Sequence, residues 1–161
     1  MKNFKKGFTL LELLIVVAII ALLTALVLGY LGSARNKGND AGIKENLRNA
    51  NAQAEIFWST NTAAPSSYTN VCSALTTLGA NTLSLFMVAA AKDANLGSNY
   101  SDDPSDGGTW NQATCNDSAN AWADEAPLNG STASSPVMWC VDSVGKSQQE
   151  STSIGVGTAC N

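Results

Sequence analysis

Glu12 is the residue whose placement most needs a chemical explanation. Residues 8–31 form a run of 24 in which Glu12 is the only charge. A carboxylate within a membrane span costs about 2.5 kcal/mol or more on insertion scales, so an intramembrane charge reads as functional. The cation that could meet it is the α-amino group that a cut before Phe8 would create. In a packed array of such helices, Glu12 of one subunit could meet the amine of a neighbour. The plainer alternative is a signal anchor in which Glu12 snorkels to the interface. Gly7-Phe8 is where the chain changes character. Gly7 is small enough for a peptidase pocket, and a cut there would leave the apolar run whole.

The other residues able to do chemistry lie beyond residue 60. Cys72, Cys115, Cys140 and Cys160 include no Cys-x-x-Cys pair, and the chain has no histidine. Tetrahedral zinc sites are built from close ligand pairs, so zinc is not indicated. An even cysteine count in a segment outside the cytoplasm reads as two disulfides, with three pairings open. Asp102, Asp103 and Asp106 sit on a Pro- and Gly-containing loop whose oxygens could hold calcium. Their spacing is not that of an EF-hand, and a solvated turn is the favoured reading. Asp124-Glu125 could in principle do acid–base work. Adjacent strand residues point to opposite faces, however, so two ordinary surface or rim acids are expected. Trp58, Trp110, Trp122 and Trp139 read as core and cover packing a sheet onto a helix. With no nucleophile elbow, catalytic base or phosphate loop, neither enzyme activity nor a cofactor is expected.

These residues need elements to hold them. At 1.5 Å per residue the run over 8–31 makes about 36 Å of helix, long enough to cross a bilayer. Lys2, Lys5 and Lys6 precede it, which predicts a cytoplasmic N-terminus. An ordinary secretory signal would end in a small-residue cleavage site, whereas here the helical pattern continues. Ile43, Leu47, Ala50, Ala54 and Phe57 recur at steps of four and three, the spacing of one amphipathic helix face. Gly29, Gly32, Gly38 and Gly42 fall between the two halves. Each costs about 1 kcal/mol of helix propensity relative to Ala, so a bend or local unwinding is expected there. The helix should fade near residues 59–61. Further on, the pattern predicts a short helix over 71–78 and a second good one over 83–94. Strands are expected over about 109–114, 119–125 and 137–142, with a return strand at 147–150. The Gly- and Ser-rich tail should be loose unless Cys160 is tied down.

The net charge is −4, and removal of residues 1–7 would leave 6 basic and 13 acidic residues. The excess is in the head, where Lys92 and Lys146 oppose nine carboxylates over 60–161. Such a head disfavours nucleic acid as a direct ligand, because Lys and Arg neutralising phosphate supply most of that binding.

Lys5-Lys6-Gly7-Phe8-Thr9-Leu10-Leu11-Glu12-Leu13-Leu14 resembles the leader junction of type IV pilins and of the related pseudopilins of type II secretion. The resemblance is strong over the first 31 residues and looser to Trp58. It implies cleavage after Gly7 by a prepilin peptidase, N-methylation of Phe8, and a homo-oligomeric helical filament assembled through the apolar helices by pilus or secretion machinery. Many pilins close the end of the head with a disulfide. Partly on that ground, Cys72–Cys115 and Cys140–Cys160 is the favoured pairing.

The resulting expectation is an α+β chain. A leader occupies residues 1–7, a membrane or filament-core helix 8–31 and its amphipathic continuation 32–59. The head over 60–161 carries a small antiparallel sheet of three or four strands. The subunit would sit in the inner membrane with its head outside the cytoplasm, then join an extracellular or periplasmic filament. The rival readings are a type II secretion pseudopilin and a minor pilin serving as an adhesion or DNA-uptake module.

Overall fold

A computed structural model describes residues 7–62, 64–73, 82–102 and 107–161. Helix α1 runs Leu10–Thr60 and is helical through all four glycines, so no unwinding occurs at them. The chain divides into two compact units, one ending at Asn36 and the other comprising Lys37–Asn161.

In the first unit the large apolar side chains stand exposed, Phe8 at 80% and Leu10 at 84%. By length and composition this part of α1 can cross a membrane. Apolar exposure on this scale marks a membrane or partner surface.

The second unit holds the core. Ile43, Leu47, Ala50, Ala54 and Phe57 are the buried residues of α1, the five that the four-three spacing marks. They pack with α2 (Ser84–Asp93) and one face of a five-stranded sheet. The strands are β1 (Tyr100–Ser101), β2 (Ala113–Asp117), β3 (Trp122–Pro127), β4 (Met138–Asp142) and β5 (Ser147–Glu150), paired in that order. The sheet is mixed rather than purely antiparallel, because β1 runs parallel to β2 through Tyr100–Ala113 and Ser101–Thr114. The other three pairings are antiparallel.

Strand alternation sorts the sheet into two different faces. Trp122, Ala126, Ala113, Cys115 and Val141 face the helices and belong to the main core. Ala123 and Cys140 face the other way and form a small second cluster with Ile154 and Cys160 of the tail. The tail over 151–161 is therefore a third layer. Asn116 Nδ2 donates to the carbonyls of Gly155 and Gly157, both at 2.8 Å. The Cys160 amide donates to Asp142 Oδ2 at 3.1 Å. Irregular segments lie against a sheet only when such partners satisfy their backbone.

Several expectations shift. The strand expected over about 109–114 begins at Ala113 as β2, and Trp110 sits 37% exposed in the preceding turn instead of in the core. Trp122 is fully buried, while Trp58 and Trp139 pack partly buried against the same cluster. Trp58 also meets Tyr68, with ring centroids 4.5 Å apart. Of the short helix expected over 71–78, residues 71–73 form bends and the rest lies outside the described residues.

Candidate processing and assembly site

Gly7 and Phe8 are exposed and precede the first helical turn. Among the described residues nothing lies within 4 Å of the place a Gly7 side chain would occupy. The junction is thus an uncovered, non-helical backbone segment, the form that a peptidase cleft requires. Lys2, Lys5 and Lys6 lie outside the described residues.

Thr9 and Glu12 start the helix together. The Thr9 amide and hydroxyl both donate to Glu12 Oε2 at 2.9 Å. The Glu12 amide donates back to Thr9 Oγ1 at 3.3 Å. This is a capping box: Thr9 is the N-cap and Glu12 is the third helical residue, and the pair satisfies donors that a helix start leaves open. The box gives Glu12 a partner within its own chain before any cut. Its signal was present in the sequence as Thr-x-x-Glu, a pattern usually sought ahead of an amphipathic helix rather than at the head of an apolar run. A cut after Gly7 would place a cation beside the helix N-terminus, where the macrodipole disfavours it. Glu12, one turn away, is the charge able to offset it.

The cysteines lie in the second unit. Cys72 bonds Cys115 with Cα atoms 5.6 Å apart, and Cys140 bonds Cys160 at 5.8 Å. The first bridge ties the chain after α1 to β2, and the second ties the tail to β4. Their sequence separations of 43 and 20 correspond to about 4 and about 3 kcal/mol in the chain-entropy model. Cys140, Glu150 and Cys160 bring ligand-type atoms within 4.8 Å of one another. Both sulfurs are used by the bridge, and a metal needs the free thiolate, so this group does not form a cation site. Of the calcium candidates, Asp102 is exposed, while Asp103 and Asp106 lie outside the described residues.

Asp124 and Glu125 do point to opposite faces, but neither is a surface or rim acid. Asp124 is fully buried on the helix side, with both carboxyl oxygens lacking a hydrogen-bond partner from another residue among the described residues. Burial pushes its pKa well above the usual carboxylate range. Glu125 is buried under the tail, where it accepts hydrogen bonds from the Ser153 hydroxyl and the Ile154 amide. Burial outweighs these bonds and raises its pKa to about 7, with the Glu150 charge adding to the rise. Alternation showed that the two acids diverge, and only the tail layer explains why both are covered.

The long apolar-headed helix, its capped start and the small sheet behind it define a pilin-like α+β protein. Residues 2–28 match the family model described as the prokaryotic N-terminal methylation motif. The chain is 43% identical over 74 residues to the type IV wide pilus major component PilA4 of Thermus thermophilus. That match covers 46% of this chain and 53% of the relative, so the chain spans about half the length of the curated relative it matches. No solved structure matches the chain significantly. Over these residues the chain is similar to type IV pilins.

Proposed function

We propose that the chain is the structural subunit of a type IV pilus-like filament. In this reading residues 1–7 are a leader, 8–31 the membrane and filament-core helix, 32–59 its amphipathic continuation and 60–161 the head. A prepilin peptidase cuts between Gly7 and Phe8, Phe8 is N-methylated, and the subunit waits in the inner membrane with its head outside. Assembly machinery then transfers it to a filament held together by the apolar helices. The observation that carries this reading is the exposed Gly7-Phe8 junction, set against a capped apolar helix whose side chains have no cover within their own unit. The name of the relative, a major component of a pilus, supports a filament subunit over a secretion pseudopilin. Intact-mass measurement of sheared filament protein tests the proposal. The expected chain starts at Phe8 and carries one added methyl group. A chain retaining Met1, or starting beyond the apolar run, would overturn it.

A further inference from the structure

The second unit, Lys37–Asn161, carries 12 acidic and 5 basic residues. Two of those five, Arg48 and Lys146, line one cleft of about 300 Å³ between α1 and the β4–β5 turn, together with Asn51, Val141 and Ser147. Among the described residues no acidic side chain lines it. Asp142, next in sequence to Val141, turns its carboxylate away, where it accepts from the amides of Val144, Lys146 and Cys160. Lys146 Nζ is steadied by the Cys160 carbonyl at 3.0 Å, and Asn51 Nδ2 by the Asp142 carbonyl at 3.4 Å. Arg48 is exposed and, among the described residues, has no hydrogen-bond or ion-pair partner for its guanidinium. Lys146 and Asn51 are thus partly matched by carbonyls, Lys146 Nζ also reaching that of Asn161 at 3.5 Å, and the Arg48 guanidinium is the cleft's unmatched charge among the described residues.

The complementary group lies on the same helix. Glu45 is exposed and likewise has no side-chain partner among the described residues. The other acids on this half of α1 are engaged. Asp40 accepts from Asn129 at 2.8 and 2.9 Å, and Glu55 from the Tyr68 hydroxyl at 2.9 Å. Residues three apart on a helix are neighbours and commonly pair, yet Glu45 and Arg48 do not. We propose that the Arg48 cleft of one copy receives the Glu45 carboxylate of a second copy. Arg48 supplies the planar fork that matches a carboxylate, with Lys146 and Ser147 at the rim. Glu45 and Arg48 lie one turn apart on one helix face, so the carboxylate of one copy meets the cleft of the next, and the pairing can also be made reciprocally. The inference rests on the filament-subunit reading and assigns one of its head contacts.

Charge reversal in the full chain tests it. Arg48→Glu and Glu45→Arg should each lower shear-released filament about tenfold, since like charges facing across an interface are strongly unfavourable. Leader cleavage, membrane level and the melting of the head should stay as in the wild type, because both positions are exposed. The double reversal should return the yield to within about threefold of wild type, because it restores opposite charges across the contact. A single reversal at wild-type yield, or a double no better than the singles, would overturn the contact. Cross-linking provides a readout independent of yield. Among the described residues all cysteines are paired, so Glu45→Cys and Arg48→Cys each add one free thiol. Co-expressed, they should give a disulfide-linked pair of this chain. Absence of that pair in wild-type-like filaments, or linkage of Arg48→Cys to another protein instead, would also overturn it. If wild-type protein itself yields no filament starting at Phe8, the subunit reading fails and the contact falls with it. Filaments unaffected by reversal at 45 and 48 would sink the contact alone.

Discussion

Glu12→Ala should be processed and inserted as in the wild type and then accumulate as membrane monomer, with shear-released filament falling to about a tenth or less. Removing the carboxylate makes the span more apolar, so insertion improves if anything. Two interactions are lost. The first is the capping box, in which Thr9 donates twice to Glu12 Oε2. Losing an N-terminal cap costs about 1 kcal/mol. The second is the partner proposed for the Phe8 amine of an adjacent subunit. A stranded charge in a low-dielectric bundle costs about 3–5 kcal/mol, so this loss outweighs the first. Two further variants separate them. Glu12→Gln keeps a hydrogen-bond acceptor but cannot neutralise the amine, so it should show the assembly defect in milder form. Thr9→Ala keeps the charge and removes the side-chain half of the cap, so it should assemble better than Glu12→Ala. Immunoblots of sheared and membrane fractions decide the matter. Wild-type filament yield from Glu12→Ala would leave Glu12 as a helix cap alone.

What the sequence revealed follows from how local each signal is. The buried face of α1 was readable because Ile43, Leu47, Ala50, Ala54 and Phe57 repeat with the period of the helix itself. Strand β5 was readable as the return from the turn at Gly145, whose φ of 86° suits glycine. Strand β2 was misplaced because Ala-Thr-Cys-Asn-Asp alternates only weakly, with the small Ala113 and Cys115 as its apolar positions. Long-range ties fix its position instead. Cys115 is bonded to Cys72, and Asp117 accepts from the amides of Asn70 and Cys72 at 3.0 Å. Strand β1, two residues long and parallel, has no sequence signature. The tail was hardest to read, since glycine and serine carry no period. Asn116, Glu125 and Asp142 hold it from the sheet, and each is distant in sequence from the backbone it binds. At the N-terminus, the charge of Glu12 was conspicuous while its bond to Thr9 was not. Hydropathy sets an isolated carboxylate apart but is blind to capping.

The head should be more stable at pH 5 than at pH 8.5, with Asp124 and Glu125 as the main cause. Both carboxyls have folded pKa values above their unfolded ones, Glu125 reaching about 7 from 4.5 and Asp124 lying well above 3.8. Asp117 is raised as well, chiefly by burial. Between the unfolded and folded values the native state holds a proton that the unfolded chain has released. Stability therefore falls as pH rises through that interval, and the favourable contribution is fully present only below it. For Glu125 the change from 4.5 to about 7 corresponds to about 3 kcal/mol lost as pH rises across that window. Asp124 extends the loss to higher pH, because burial, helped by the charges of Glu125 and Asp142, disfavours its anion. Asp124→Asn removes the ionisation while keeping the shape. Its margin over the wild type should grow from pH 5 to pH 8.5 by about 2 kcal/mol, the scale of a buried group relieved of an uncompensated charge. Glu125→Gln should flatten the slope around neutrality and keep an acceptor for Ile154. Urea unfolding of the full chain in detergent, followed by near-ultraviolet circular dichroism of the buried Trp122, measures both effects. A wild-type midpoint that rises from pH 5 to pH 8.5 would show that the two carboxyls ionise at ordinary values, and that water reaches them through the sheet faces described above.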